Sequence, residues 1–407
     1  MNNSIQDRIT EELGRADALC ERDILYWLAS LYDAPSGGFY YSLSARDNEP
    51  FRPDLESTYQ AMYLLESGGM FGEGRVPEEI MPKPIADGFL RFALSLQDER
   101  DGYFYHPHIG KNITDSRKAR DLMWARGLIG KFGDRPLYPY PDERIKAQVE
   151  KTERESASEK PTEPPAIEER YTSPEKFREY LDSLDIDRNG WGAGNTLVSQ
   201  SRQIVAAGFY EMTVDFLAEH QNPETGLWGE GLGYANTNAA MKISGFFSPK
   251  YKSYPMLDKM VESVIHIVKN EGIPIYITDV WNPIVAINQA RASYTEIPSS
   301  IRETITASLP EVIRLSVDNA RLFKKSDGAF GYNRLTGQKT SQGVVVSTGV
   351  NESDINATLA ACVSMRGSLY ALAERKREPI YKPYAPMFMG LLMDKIRAAE
   401  NEGLLGK

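Results

Sequence analysis

Two short strings concentrate carboxylates at the start of apolar segments. They are Arg52-Pro53-Asp54-Leu55-Glu56-Ser57 and Gly349-Val350-Asn351-Glu352-Ser353-Asp354-Ile355-Asn356. Carboxyl groups held about 5–10 Å apart can serve as acid and base, or acid and nucleophile, on a glycosidic bond. Glu56, Glu352 and Asp354 are therefore candidate catalytic groups, with Asp54 and Asn351 as binding neighbours. A third string, Tyr105-His106-Pro107-His108, offers His106 for proton transfer and His108 for ligand contact. A lone His-x-His pair is a weak metal signal, and a chain with four histidines and only Cys20 and Cys362 as cysteines cannot build a thiolate-rich zinc site. No metal and no cofactor is expected. A phenol such as Tyr59 can move a proton, while Asn195, Arg202, Asn236 and Asn282 can neutralise a carboxylate. The asparagines are also good helix caps, which is their plainer use.

The elements that must position these groups repeat. Glycine followed closely by an aromatic recurs in Ser36-Gly37-Gly38-Phe39-Tyr40, Asp101-Gly102-Tyr103-Phe104, Asn189-Gly190-Trp191-Gly192, Thr225-Gly226-Leu227-Trp228 and Asp327-Gly328-Ala329-Phe330, with a degenerate member at Glu271-Gly272-Ile273-Pro274-Ile275-Tyr276. Apolar residues at i, i+3, i+4 spacing predict a helix before each phrase: Ile24–Leu31, Ile85–Leu96, Phe177–Leu184, Val214–His220, Leu257–Val268 and Val312–Phe323. A second, more apolar helix is predicted after each phrase, capped at Ser57-Thr58, Asp115-Ser116, Thr196, Asn236-Thr237, Asn282-Pro283 and Ser353-Asp354. Asn282-Pro283 is the strongest of these boundaries, since proline is preorganised for the first helical position. Six such hairpins predict an all-α (α/α)6 toroid of residues 1–407, with second helices inside and a charged surface insertion at 139–173 between hairpins two and three. In a closed ring the first and last hairpins are neighbours, which would oppose their carboxylate strings.

At these phrases the chain resembles the α/α toroid superfamily, which includes terpenoid cyclases, prenyltransferase β subunits, six-hairpin glycosidases and polysaccharide lyases. The resemblance covers nearly the whole chain through short motifs, so it speaks for fold more than function. The prenyltransferase branch uses a zinc site, whereas Cys362 lies in an apolar helical stretch with no histidine near it and reads as core. The cyclase branch needs an Asp-rich acid motif, and Asp185-Ile186-Asp187-Arg188 departs from it at the last position.

The carbohydrate branch suits the side chains better. The loops gather Tyr40, Tyr41, Tyr103, Tyr105, Trp191, Trp228, Tyr234, Trp281 and Tyr332, which could stack on sugars. Helix N-termini and the cations Arg46, Arg52, Lys118, Arg120, Arg126, Arg202 and Arg334 would favour an anionic sugar. The expected activity is β-elimination on a uronate-containing poly- or oligosaccharide. A glycoside hydrolase with paired carboxylates is the alternative, and a terpenoid cyclase or prenyltransferase-like enzyme or a non-catalytic binding toroid comes third. A net charge of -10 argues against a nucleic-acid partner. No segment runs 18 apolar residues and Met1 to Cys20 has no apolar core, so no membrane association and a cytoplasmic location are expected, with a homo-oligomer left open.

Overall fold

The computed structural model describes residues 2–72, 77–106, 108–144 and 169–405. The chain is mostly helical. Its helices are α1 (Asn2–Asp17), α2 (Asp23–Ser30), α3 (Leu43–Asp47), α4 (Leu55–Ser67), α5 (Lys83–Ser95), α6 (Asp115–Lys131), α7 (Pro174–Asp182), α8 (Gly190–Ser199), α9 (Ser201–Ala206), α10 (Tyr210–Glu219), α11 (Tyr234–Ile243), α12 (Leu257–Asn270), α13 (Thr278–Ala292), α14 (Ser299–Arg321), α15 (Ile355–Leu359), α16 (Met365–Leu372) and α17 (Ala385–Asn401). A π-helical turn, Ala360–Ser364, joins α15 to α16. Among the described residues there are also two short antiparallel pairs, β1 (Tyr32–Asp33) with β2 (Gly38–Phe39), and β3 (Thr340–Ser341) with β4 (Val344–Val345).

The predicted first helices are all present, because each carries one apolar stripe. In α12, Leu257, Met260, Val261, Val264, Ile267 and Val268 are buried at helical spacing, while Asp258, Lys259, Glu262 and His266 face out. The last of them begins earlier than its periodicity suggested, α14 running 23 residues with Pro310 inside it. The glycines that follow are needed where the chain folds back. Gly37 has φ +85°, and a Cβ there would stand 2.2 Å from the Gly88 carbonyl oxygen.

The second helices make contacts in order. α4 packs on α6, α6 on α8, α8 on α11, α11 on α13 and α13 on α16, while α15 packs back on α4. The first N–H of α15, that of Ile355, donates to the carbonyl of Tyr41, which lies between β2 and α3, at 3.1 Å. α1 lies against α14 and α16, and α17 against α2 and α5. Cys20 and Cys362 meet in the core, the Cys20 thiol donating to the Cys362 carbonyl at 3.1 Å.

Several predicted starts of these helices are corrected. α4 is capped by Asp54 rather than Ser57-Thr58, and α6 by Thr114 rather than Asp115-Ser116. α8 is capped by Asn189, whose Oδ1 accepts the Gly192 N–H at 3.0 Å, so Thr196 lies inside the helix. The glycines that resembled a turn instead admit a neighbour: a Cβ on Gly194 would stand 2.9 Å from Lys242 Cβ of α11. Asn236 is the third residue of α11, not its cap. Asn282-Pro283 is interior to α13, where Asn282 Nδ2 donates across to Asn238 Oδ1 at 2.8 Å. Only Asp354 caps as expected, at α15. The charged insertion lies outside the described residues from 145 to 168.

Candidate functional site

The first carboxylate string does not stand open to a ligand. Asp54 caps α4 by accepting the Ser57 N–H at 2.7 Å. One residue into the helix, Glu56 points between α4 and α6 and meets Arg117 Nη1 at 2.8 Å, and Arg117 Nε meets Asp121 at 2.9 Å. All three side chains are 1% exposed. Ser341 of β3 closes the cluster by donating to the other Glu56 oxygen at 2.7 Å, joined by Gln60 Nε2 at 3.3 Å. Burial pushes the Glu56 carboxyl up and Arg117 pulls it back. Burial opposes the Arg117 charge too, but Glu56 and Asp121 outweigh it and hold the guanidinium above its ordinary value. Asp121 has one oxygen without a partner, and burial raises it to about 7 in spite of Arg117. The cluster is thus an Arg117 guanidinium between two buried carboxyls, of which Asp121 is raised to about 7 and gains its proton near neutrality.

The second string is equally engaged. Asp354 accepts the Ala357 N–H at 2.8 Å and the Tyr332 N–H at 2.7 Å, and burial raises its carboxyl to about 7. Tyr41 is buried beside Asp354 and Glu56 with its hydroxyl unpartnered, and burial raises its phenol. Glu352 accepts from Ser42 Oγ at 2.7 Å and the Ser44 N–H at 2.9 Å, ordering the start of α3. The structure therefore brings Asp54, Glu56 and Asp354 together as hydrogen-bonded structural groups, with the buried Tyr41 ring beside them.

His106 adjoins this cluster. It is buried, its Nδ1 accepts the His108 N–H at 3.1 Å, and burial lowers its pKa against the pull of Asp54. The imidazole is therefore neutral with Nδ1 as acceptor, and His108 is exposed at its edge.

Asn195 and Asn282 belong to a different group, deeper along the helices. Arg120 of α6 reaches across to α8 and donates from Nη2 to Asn195 Oδ1 at 3.3 Å; its Nε is buried without a partner. Burial lowers the Arg120 pKa, with Glu56 and Tyr332 opposing and Arg117 adding to the fall. Tyr332 is held near Thr278, and burial pushes its phenol up to about 12. On α11 and α13, Asn282 donates to Asn238, which donates to Asp279 at 3.0 Å. Trp281 sits beside them with its Nε1 unpartnered. Tyr59 of α4 stacks on Tyr63 with ring centroids 6.2 Å apart and presses on Gly127 of α6.

The remaining candidates are scattered. Trp191 is 52% exposed, and Arg202 is exposed on α9. Arg126 bonds Asp142 and covers the Tyr140 ring. Tyr234 donates to the Gly272 carbonyl at 3.2 Å, Asn236 ties Gly233 to the Trp228 carbonyl, and Asn351 accepts from Lys325. Trp228 is fully buried and donates to Leu217, so it is packing and not a sugar platform.

Sequence reasoning missed Arg117, Asp121, Ser341, Asn238 and Lys242. The first two were visible as a charged i, i+4 pair in a helix expected to be buried. Two cavities among the described residues are small, about 100 Å³ beside Gln6, Arg291 and Arg302 and about 50 Å³ beside Tyr103, Lys118 and Gln200. Among the described residues no helix is long and apolar enough to cross a membrane, and no group of three His, Cys, Asp or Glu side chains is placed to hold a metal ion. No protein-family model matches the chain, and neither a curated protein nor a solved structure matches it.

Proposed function

We propose that α4, α6, α8, α11, α13 and the joined α15–α16 pair, each touching the next, are the inner ring of an (α/α)6 toroid formed by a single domain. We further propose that the ring carries an active site for β-elimination on a uronate-containing saccharide. The circuit of contacts from α4 through α6, α8, α11 and α13 to α16, and from α15 back to α4, supports the ring. The activity rests mainly on one observation. Arg120 is held only by the Asn195 amide, with no carboxylate at bonding distance among the described residues, and it lies in electrostatic reach of the Tyr332 phenol.

β-Elimination requires a uronate carboxylate to be neutralised so that its α-proton becomes acidic, and a group to carry that proton. In this reading Arg120 and Asn195 take the carboxylate. Tyr332, as phenolate, accepts the α-proton and returns it to the departing glycosidic oxygen, leaving an unsaturated sugar on one fragment and a hydroxyl on the other. The raised phenol pKa implies that turnover increases as pH rises toward the alkaline range. Glu56 and Asp354 have both oxygens engaged, which favours elimination over hydrolysis by paired carboxylates.

The test is incubation of the protein with uronate-containing glycans. Elimination predicts new ultraviolet absorbance from the unsaturated product, and its loss in Arg120→Met and Tyr332→Phe. Reducing ends formed without that absorbance would replace elimination with hydrolysis. Turnover of isoprenoid diphosphates with neither product would move the chain to the cyclase branch.

A further inference from the structure

The charges between α6, α8 and α11 do not balance. Lys242 lies near the C-terminal end of α11, its Cβ packed against Gly194 of α8. The next residue of α8, Asn195, is the one that receives Arg120. Among the described residues Lys242 has no hydrogen-bond or ion-pair partner. Around it α6 contributes Arg120 as the charged group and α8 contributes the neutral Asn195. The acid of α13, Asp279, is already taken by Asn238 and the Tyr276 N–H. Glu56 of α4 is taken by Arg117. Burial pushes the Lys242 amine down to about 8, and the Arg120 charge pushes in the same direction. Two cations within electrostatic reach of each other in a partly buried space repel and lose hydration, which favours the neutral amine, and a bound anion would restore its charge. Arg120, Asn195, Asn238 and Lys242 all keep partial exposure, so an ion can reach them from solvent.

We propose that Arg120 and Lys242, joined across the Gly194–Asn195 step of α8, form a two-cation site that binds an oxyanion group, the carboxylate or sulfate ester of an acidic ligand. Arg120 supplies a planar donor edge through Nη2 and the unpartnered Nε, which suits two oxygens of one group. Lys242 adds a compact charge from the opposite helix, and Asn195 holds the guanidinium in place. The identity of the ligand as a uronate rests on the elimination reading, but the existence of the site does not.

The test uses the full chain and four sodium salts, glucuronate, acetate, sulfate and chloride, at matched ionic strength. Thermal unfolding and calorimetric titration are the readouts. The expected result is that glucuronate or sulfate raises the unfolding temperature beyond chloride, by a few degrees at saturation. Preference for glucuronate and acetate identifies a carboxylate site, and preference for sulfate identifies a sulfate-ester site. Lys242→Gln and Arg120→Met should each weaken binding about tenfold or more, while Lys242→Arg retains it. Lys242→Gln, which removes an unmatched buried charge, should fold at least as stably as the parent without anion. The proposal is overturned if no anion exceeds chloride, or if Lys242→Gln binds like the parent. Anion binding without unsaturated product would leave the site standing and remove elimination; unsaturated product with Lys242 irrelevant to binding would do the reverse.

Discussion

The α4–α6 side and the α8–α11 side of the proposed ring both bury charge, and they treat it in opposite ways. Between α4 and α6, Arg117 is clasped by Glu56 and Asp121, and Ser341 from the β3–β4 hairpin covers the pair, so the guanidinium charge is matched by carboxyls of the protein itself. Around α8, Arg120 from α6 and Lys242 from α11 lie within electrostatic reach of each other, with the Asn195 amide as the only partner of the Arg120 guanidinium among the described residues. A buried charge that is fully paired is a structural fixture, because removing either partner strands the other. A buried charge left unpaired destabilises the free protein and is relieved either by losing its proton or by an ion that binds. On the proposal above, the first region is structural and the second recognises the ligand.

The largest effect that would sharpen this contrast is Arg117→Met, which leaves Glu56 and Asp121 without a cation. It should cost about 3–5 kcal/mol of stability by urea unfolding, whereas Lys242→Gln should cost nothing and raise the midpoint slightly. Equal losses would erase the distinction. A second effect is pH dependence. Asp121 and Asp354 are raised to about 7 in the fold, against about 4 in an unfolded chain. The folded state thus binds these two protons more tightly, so their contribution to stability is full below about pH 4 and declines as pH rises through about 7. Asp121→Asn should flatten part of that slope, and an unchanged slope would contradict its assigned proton. Next, Asp54→Ala and Asp354→Ala remove caps and should each cost about 1 kcal/mol in the same unfolding assay. The smallest effect is at Trp191 and Arg202, where alanine should change stability by no more than about 0.5 kcal/mol and leave anion titrations unaltered.

The helical outline was legible because a one-sided apolar stripe, as in α12, is written into local spacing. The second helices were located with less accuracy. They touch neighbours on more than one side, so their apolar residues form no single stripe, and polar residues that resemble caps can lie within. Asn282 is the clearest case: it bonds sideways to Asn238 in another helix, and its neighbour Pro283 sits inside α13. Of the site, Asp54, Glu56, Tyr41 and Asp354 were singled out and do converge, yet their sequence gives no sign that Arg117 and Ser341, 61 and 285 residues from Glu56, would occupy the oxygens. Lys242 was passed over for a related reason. A lysine late in a helix ordinarily serves the helix dipole at the surface, and only the contact of α11 with the glycines of α8 brings it beside Arg120.

The unmatched cation can be observed directly by following the Lys242 ε-amine by NMR as pH is raised, with Lys242→Arg used to assign the signal, in chloride and then in saturating glucuronate or sulfate. The account predicts titration near 8 in chloride and a clear upward shift once the oxyanion is bound, since a bound negative charge favours the protonated amine. An amine that titrates at the ordinary lysine value of about 10.4 in chloride, or one that does not respond to either oxyanion, would contradict it.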